Sequence, residues 1–134
     1  METKPKVKGA APAGAVQEVS DETFVAEVIE AGAPVLVDFW AQWCGPCKFM
    51  GPIFAKVAPD YEGRVKFAKL DVDANVEVPG ALKVSSIPTF ALFLGNVVVA
   101  AGVGAMREPD LRRWIDEALT RVPAAEAAAA QPAG

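Results

Sequence analysis

The sequence contains no histidine and only two cysteines, and this scarcity excludes several kinds of site. A zinc or iron–sulfur site generally takes about four protein ligands, mostly cysteine and histidine, so an intramolecular site of that kind is nearly excluded. Two cysteines also fall short of the disulfide framework that holds small secreted domains together. The chain has no apolar run close to the roughly 18 residues that a membrane-spanning helix needs.

Positive charge is scarce as well. The chain has 13 Lys and Arg residues against 17 Asp and Glu residues, a formal net charge of −4. Proteins that bind nucleic acids neutralise phosphates with a basic face, so this balance argues against a nucleic-acid partner. The opening stretch "METKPKVKGAAPAG" has lysines but no apolar segment after them, unlike a secretory signal. We therefore expect a soluble, cytoplasmic, monomeric protein that contacts neither nucleic acid nor membrane.

The composition divides the chain of 134 residues into one folded domain between two simple segments. Residues 1–15 and 122–134 are rich in Ala, Pro and Gly without hydrophobic periodicity, and we expect both to be flexible tails. The Ala-rich part of the second segment could instead extend the preceding helix, since alanine is the best helix former. The domain between them, residues 16–121, is long enough to bury a core.

Within the domain, short apolar stretches alternate with helical patterns. Strands are predicted over 15–20, 35–40, 65–72, 89–94 and 97–101, and helices over 21–30, 44–58, 76–82 and 109–121. Gly95 and Asn96 join the last two strands in a tight hairpin. Alternating strands and helices, followed by a hairpin and a helix, predict an α/β fold. Its central mixed sheet of about five strands is flanked by about four helices.

The two cysteines lie in Cys44-Gly45-Pro46-Cys47, between a predicted buried strand and a helix. The unpaired N–H groups at a helix start stabilise a thiolate and lower its pKa from about 8.5 towards neutrality. Pro46 suits the first helical turn because it has no N–H to leave unpaired. We expect Cys44 to be exposed and to attack, and Cys47 to be more buried and to resolve. The alternative is a buried pair of small hydrophobic side chains.

Four segments carry a resemblance to a known family. "VDFWAQWCGPCK", "AKLDVD", "SSIPTF" and "GNVVVAAGVGA" resemble the thioredoxin family in their order and separations, over about Val16–Arg121. The resemblance implies the thioredoxin fold and a protein dithiol–disulfide oxidoreductase, with a mixed disulfide on Cys44 that Cys47 resolves. It also implies that no cofactor is bound. Electrons would come from NADPH through a flavin-dependent thioredoxin reductase.

An aspartate interrupts the apolar run "VLVDFW". By strand alternation Leu36, Asp38 and Trp40 share one face, and neither face is polar, so Asp38 should be buried. A buried, unpaired carboxylate raises its pKa and holds a proton. We predict that Asp38 acts as general base towards Cys47, a role that the resemblance also assigns. The resemblance places Lys69 nearby, where it could tune the carboxylate. A solvated lysine, or an aspartate that only accepts hydrogen bonds, is the alternative.

A protein that reduces other proteins needs an apolar docking face with accessible backbone. Trp43 is a candidate because it directly precedes Cys44, and the resemblance implies further residues near the cysteines. The candidate docking residues are Trp43, Gly45, Pro46, Ile87, Pro88, Val103 and Gly104. Only about 5–6% of X–Pro bonds in folded proteins are cis, which favours trans for Ile87–Pro88, whereas the resemblance implies cis. Because Pro88 has no N–H, the backbone of Ile87 stays free to pair with a substrate strand.

Two other functions fit the same residues. A thioredoxin-fold binding or processivity subunit would use the same apolar face without redox turnover. An exported oxidant or isomerase is disfavoured because no apolar signal segment follows the lysines of the opening stretch. The chain departs from the family pattern at Ser85-Ser86, at Pro79-Gly80 and at Arg107, where a Ser or Thr cap is usual. These departures concern helix boundaries and partner preference rather than the chemistry.

Overall fold

The structure, a computed structural model, describes residues 15–130. Its strands are β1 (Val16–Glu18), β2 (Val35–Trp40), β3 (Lys66–Asp71), β4 (Thr89–Leu94) and β5 (Val97–Val103). Its α-helices are α1 (Gly45–Val57), α2 (Glu77–Ala81), α3 (Glu108–Leu119) and α4 (Val122–Ala130). The strands form one sheet in the order β1-β3-β2-β4-β5. Because β1, β3 and β2 are parallel while β4 and β5 pair antiparallel, the predicted mixed five-stranded sheet is confirmed.

The central strand, β2, is apolar on both faces because helical segments cover both. Its odd-numbered residues belong to one core cluster with Phe24 and Val28, from the segment that precedes the strand. Leu36 belongs to a second cluster with Met50 and Phe54 of α1. Burying each such side chain contributes about 1.5–3 kcal/mol. The alternation predicted for this strand is therefore confirmed, and it places Asp38 on the α1 side.

The helix predicted over 21–30 is shorter and of a different kind. The structure has a π-helical segment over Val25–Ile29, in which the Glu30 N–H donates to the Val25 carbonyl at 2.8 Å. The sequence spacing of Phe24, Val25, Val28 and Ile29 predicts a single apolar stripe on this helix, but the side chain of Val25 is exposed. A π turn holds more residues than an α turn, so the α-helical spacing does not carry over to this segment.

The bounds of several helical segments are shaped by prolines, and one helix begins without a capping side chain. α2 is only five residues long and contains Pro79, and Val84 donates its N–H to the Pro79 carbonyl at 2.9 Å. α1 gives way to a 3₁₀ turn over Ala58–Tyr61, which contains Pro59. Arg107 precedes α3 without a capping side chain. Among the described residues, no helix has both the length and the apolar character needed to cross a membrane.

The segment predicted as a flexible tail, 122–134, is instead helical over Val122–Ala130. This helix contacts β4 and β5, and alanine favours helix at this composition. Because α3 ends at Leu119, the Ala-rich segment forms a separate helix and does not extend the preceding one. Residues 1–14 and 131–134, which belong to the two predicted tails, lie outside the described residues.

Candidate active site

Three segments meet at one edge of the sheet. The carboxyl end of β2 leads directly to Cys44, and the antiparallel partner β4 begins beside that end, immediately after Pro88. Thr89 pairs with Val103 at the end of β5. The Gly104 N–H donates to the Pro88 carbonyl at 2.8 Å and joins the two loops. The sheet thus brings together docking candidates from distant parts of the sequence.

The two cysteines form a disulfide at the start of α1, with their Cα atoms 5.2 Å apart. Cys44 is the N-cap residue, and its Sγ accepts a hydrogen bond from the Cys47 N–H at 3.2 Å. This N–H is one of those that a helix start leaves without a backbone partner. Negative charge on the Cys44 sulfur is therefore stabilised at this position. Pro46 lies in the first turn, as predicted.

The prediction that Cys44 is exposed is wrong. Its exposed fraction is 4%, against 2% for Cys47. The two cysteines form a small cluster with Ala41, against which Trp40 and Ile87 pack. The Cys44 Sγ lies 3.8 Å from the Ile87 carbonyl oxygen. The expectation followed from the position before a helix, whereas the covering residue comes from a loop 43 positions further along the chain.

The burial predicted for Asp38 is confirmed, since its exposed fraction is 3%. Within residues 15–130, no group donates a hydrogen bond to its Oδ1. Burial raises the pKa of Asp38 from 3.8 to about 7, and the positive charge of Lys69 partly opposes that rise. Lys69 faces Asp38 in the pairing of β2 with β3, and its Nζ lies 5.2 Å from the centre of the Trp40 ring. The parallel pairing therefore places the lysine near the carboxylate.

Asp38 lies on the side of the sheet that carries the cysteines. It shares its face of β2 with Leu36 and Trp40. Leu36 belongs to the core beneath α1, while Trp40 packs against the cluster that contains Cys44 and Cys47. Asp38 thus lies along β2 between a residue of that core and a residue that packs against the disulfide. This face of β2 therefore carries a carboxyl group with a pKa of about 7 on the same side of the sheet as the disulfide.

Three residues near the docking candidates were not identified from the sequence: Asp73, Val76 and Phe49. The indole N–H of Trp43, a side chain that is 69% exposed, donates to the Asp73 Oδ2 at 2.7 Å. Asp73 and Val76 both lie in the loop between β3 and α2, and Val76 is also exposed. Phe49 is exposed on α1. The signal for Phe49 was available, because it lies outside the helical stripe of Cys47, Met50, Phe54 and Val57.

Comparison with known proteins decides the family. Residues 15–117 match the sequence model of the family described as "Thioredoxin". The chain belongs to the thioredoxin family. The thioredoxin fold and the disulfide pair at the start of α1 agree with this assignment. The chain is accordingly a dithiol–disulfide oxidoreductase of the thioredoxin type.

Three of the relatives that match are named as thioredoxins or contain one in their name. A thioredoxin of Pseudomonas aeruginosa is 43% identical over 101 residues, which are 75% of this chain and 94% of the relative. A thioredoxin of Chlorobaculum thiosulfatiphilum is 43% identical over 105 residues, 78% of this chain and 97% of the relative. A bifunctional thioredoxin reductase/thioredoxin of Mycobacterium leprae is 44% identical over 105 residues, which are only 23% of that protein. The chain thus resembles whole thioredoxins and one part of a larger protein.

Proposed function

We propose that the chain reduces disulfide bonds in other proteins through a mixed disulfide on Cys44 that Cys47 resolves. The observation that carries this proposal is the bonded cysteine pair at the start of α1, on the side of the sheet to which the buried Asp38 belongs. The reduced chain delivers two electrons and becomes the disulfide form that the structure contains.

In the first step, the Cys44 thiolate attacks one sulfur of the target disulfide. A bond forms between that sulfur and the Cys44 Sγ, the target S–S bond breaks, and the second target sulfur leaves as a thiolate. The Cys47 N–H, 3.2 Å from the Cys44 Sγ, and the start of α1 support this step because both stabilise the attacking thiolate.

In the second step, Cys47 loses its proton and attacks the Cys44 Sγ. The Cys44–Cys47 bond forms, and the remaining target sulfur leaves as a thiolate. We propose that Asp38 takes the Cys47 proton. A base is most effective when its pKa is close to the working pH, and burial raises the pKa of Asp38 to about 7. We also propose that Lys69 tunes this base, since its charge opposes the rise.

The docking surface consists of the residues around the disulfide. Trp43 supplies exposed apolar area, and the Ile87 carbonyl lies beside the Cys44 Sγ, where a partner strand can pair with the backbone. The Ile87–Pro88 bond is cis, as the resemblance implied. Gly104 has φ +105°, a conformation that favours glycine, and a Cβ built there has open space around it. Gly45, Pro46 and Val103 complete the proposed surface.

We infer that the chain binds no cofactor and is regenerated by NADPH through a flavin-dependent thioredoxin reductase. The Mycobacterium leprae relative supports a reductase partner, because its name joins a thioredoxin reductase and a thioredoxin. We propose that the chain works as a cytoplasmic monomer. Thiols are kept reduced in that compartment, which fits a protein that donates electrons from a dithiol.

The test is reduction of insulin disulfides with NADPH and a bacterial thioredoxin reductase. We expect turnover by the natural chain and none by the Cys44→Ser, Cys47→Ser double variant. The single variant Cys47→Ser should accumulate a mixed disulfide that dithiothreitol releases, whereas Cys44→Ser should not. If the double variant keeps the biological activity in cells, a binding or processivity role replaces the redox role.

A further inference from the structure

The exposed aromatic side chains of this protein lie only beside the cysteine pair. The chain has seven Phe, three Trp and one Tyr, all within residues 15–130. Of these, only Trp43 and Phe49 are exposed, at 69% and 54%, whereas the others are buried or half-buried. Trp43 directly precedes Cys44, and Phe49 follows Cys47 by two positions. One exposed ring therefore stands at each end of the Cys44–Cys47 motif.

Local folding does not explain the exposed ring of Phe49. The buried side of α1 is formed by Cys47, Met50, Phe54 and Val57. Phe49 lies outside this stripe, so it adds little to the core. Phenylalanine also has a lower helix propensity than the Leu, Lys or Glu residues common on helix surfaces. Neither core burial nor helix propensity therefore accounts for a phenylalanine at this position.

Phe49 is part of an apolar surface on α1. Residues three and four apart lie on the same side of a helix, which places exposed Pro46 and half-buried Ile53 next to Phe49. We call Pro46, Phe49 and Ile53 the α1 stripe. Lys56, further along this side, already pairs with Glu108 at 3.1 Å. The stripe is therefore apolar and uncharged, and it joins the proposed docking face at Pro46, between the two cysteines.

We propose that Phe49 is a second aromatic anchor for folded protein partners, and that the α1 stripe extends the docking face beyond the cysteines. The inference rests on the proposed function. Aromatic side chains are enriched at protein interfaces, and a few of them supply most of the binding energy. The matching partner surface is apolar and uncharged around its disulfide. It is wide enough to contact Trp43 and Phe49 together, which a small disulfide is not.

The test compares Phe49→Ala with Val25→Ala, a matched control. Val25 is 55% exposed and lies in the segment that covers the other face of the sheet. With NADPH and a bacterial thioredoxin reductase as the folded partner, Phe49→Ala should raise the KM for the chain about five- to tenfold at unchanged kcat. The reduced variant should react with 5,5′-dithiobis(2-nitrobenzoic acid) at the natural rate. Val25→Ala should change neither value.

Two results would overturn the inference. An unchanged KM in Phe49→Ala would show that the ring does not contact the partner. An equal loss with the small disulfide would show that the ring acts on the cysteines or the fold rather than on docking. Phe49→Leu, which keeps part of the apolar area, should give an intermediate KM if Phe49→Ala unfolds. Failure of the natural chain with both the reductase and the small disulfide would instead refute the proposed function.

Discussion

Replacing Asp38 by asparagine should stabilise the protein at pH 8 and bring much less benefit in acid. Burial raises the pKa of Asp38 from 3.8 to about 7 in the folded chain. Between these pH values the folded chain holds a proton that the unfolded chain releases. Because the folded state binds more protons, its stability falls as the pH rises through this range and levels off above pH 7. Asparagine carries no titratable group, so the stability of Asp38→Asn does not fall in this way as the pH rises.

The size of the effect follows from the pKa. From 3.8 to about 7 the pKa rises by about three, and each tenfold change in proton affinity is worth about 1.4 kcal/mol. The natural chain therefore loses on the order of 4 kcal/mol between acid and pH 8 through this one carboxylate. The opposing charge of Lys69 is already included in the pKa.

The measurement is urea unfolding of the oxidised natural chain and of Asp38→Asn from pH 4.5 to pH 8.5. In the disulfide form neither cysteine titrates. The contributions of all other titratable groups cancel when the unfolding free energies of the two proteins are subtracted. We expect the difference in unfolding free energy to shift by several kcal/mol in favour of asparagine as the pH rises from 4.5 to about 7, and to stay constant above pH 7. Val25→Ala, at an exposed side chain with no titratable group, should show a difference that does not depend on pH and serves as the control.

Two outcomes contradict this reasoning. A difference that does not depend on pH would mean that Asp38 has an ordinary pKa in spite of its burial. A difference that moves in favour of the natural chain as the pH rises would mean that the attraction to Lys69 outweighs the desolvation. In either case Asp38 could not act as a base tuned to neutral pH.

Four further predictions concern the same chemistry and the fold. Asp38→Asn should slow release of target from the mixed disulfide in stopped-flow kinetics, because Cys47 loses its base. Lys69→Met should move the midpoint of that step to higher pH, since the charge that lowers the pKa of Asp38 is removed. Lys83→Gly should raise the free energy of unfolding by about 1 kcal/mol, because Lys83 has φ 60°, which costs a residue with a Cβ. Phe54→Ala should lower it by about 3–5 kcal/mol, since this ring is fully buried and lies 4.7 Å from the Phe67 ring between centres.

Features with local causes were predicted well from the sequence. The predicted helix over 44–58 is observed over Gly45–Val57, because the position of Pro46 and the cysteine N-cap mark its start. The strand over Thr89–Leu94 has its predicted bounds. The burial of Asp38 followed from alternation alone, since a strand covered on both faces leaves no polar side.

Features that depend on distant segments were not predictable in this way. Cys44 is buried because the loop before β4 brings Ile87 over it, and no local pattern near residue 44 contains that information. The cis bond before Pro88 runs against the base rate and was expected only from the resemblance. The composition of 122–134 was compatible with either a flexible tail or a helix. The helix over Val122–Ala130 has low amphipathic character, and its contacts with β4 and β5 could not be predicted from the sequence.

The unsatisfied oxygen of Asp38 makes physical sense when stability and chemistry are considered together. A carboxylate that accepts two or three N–H bonds has a pKa well below its usual range, so it is ionised but a weak base. A donor to the Asp38 Oδ1, which has none among the described residues, would stabilise the fold at neutral pH. The same hydrogen bond would pull the pKa of Asp38 down from about 7 and weaken the base that Cys47 needs. A stabilising substitution that supplied such a donor should therefore slow the second step, because one desolvated group sets both properties.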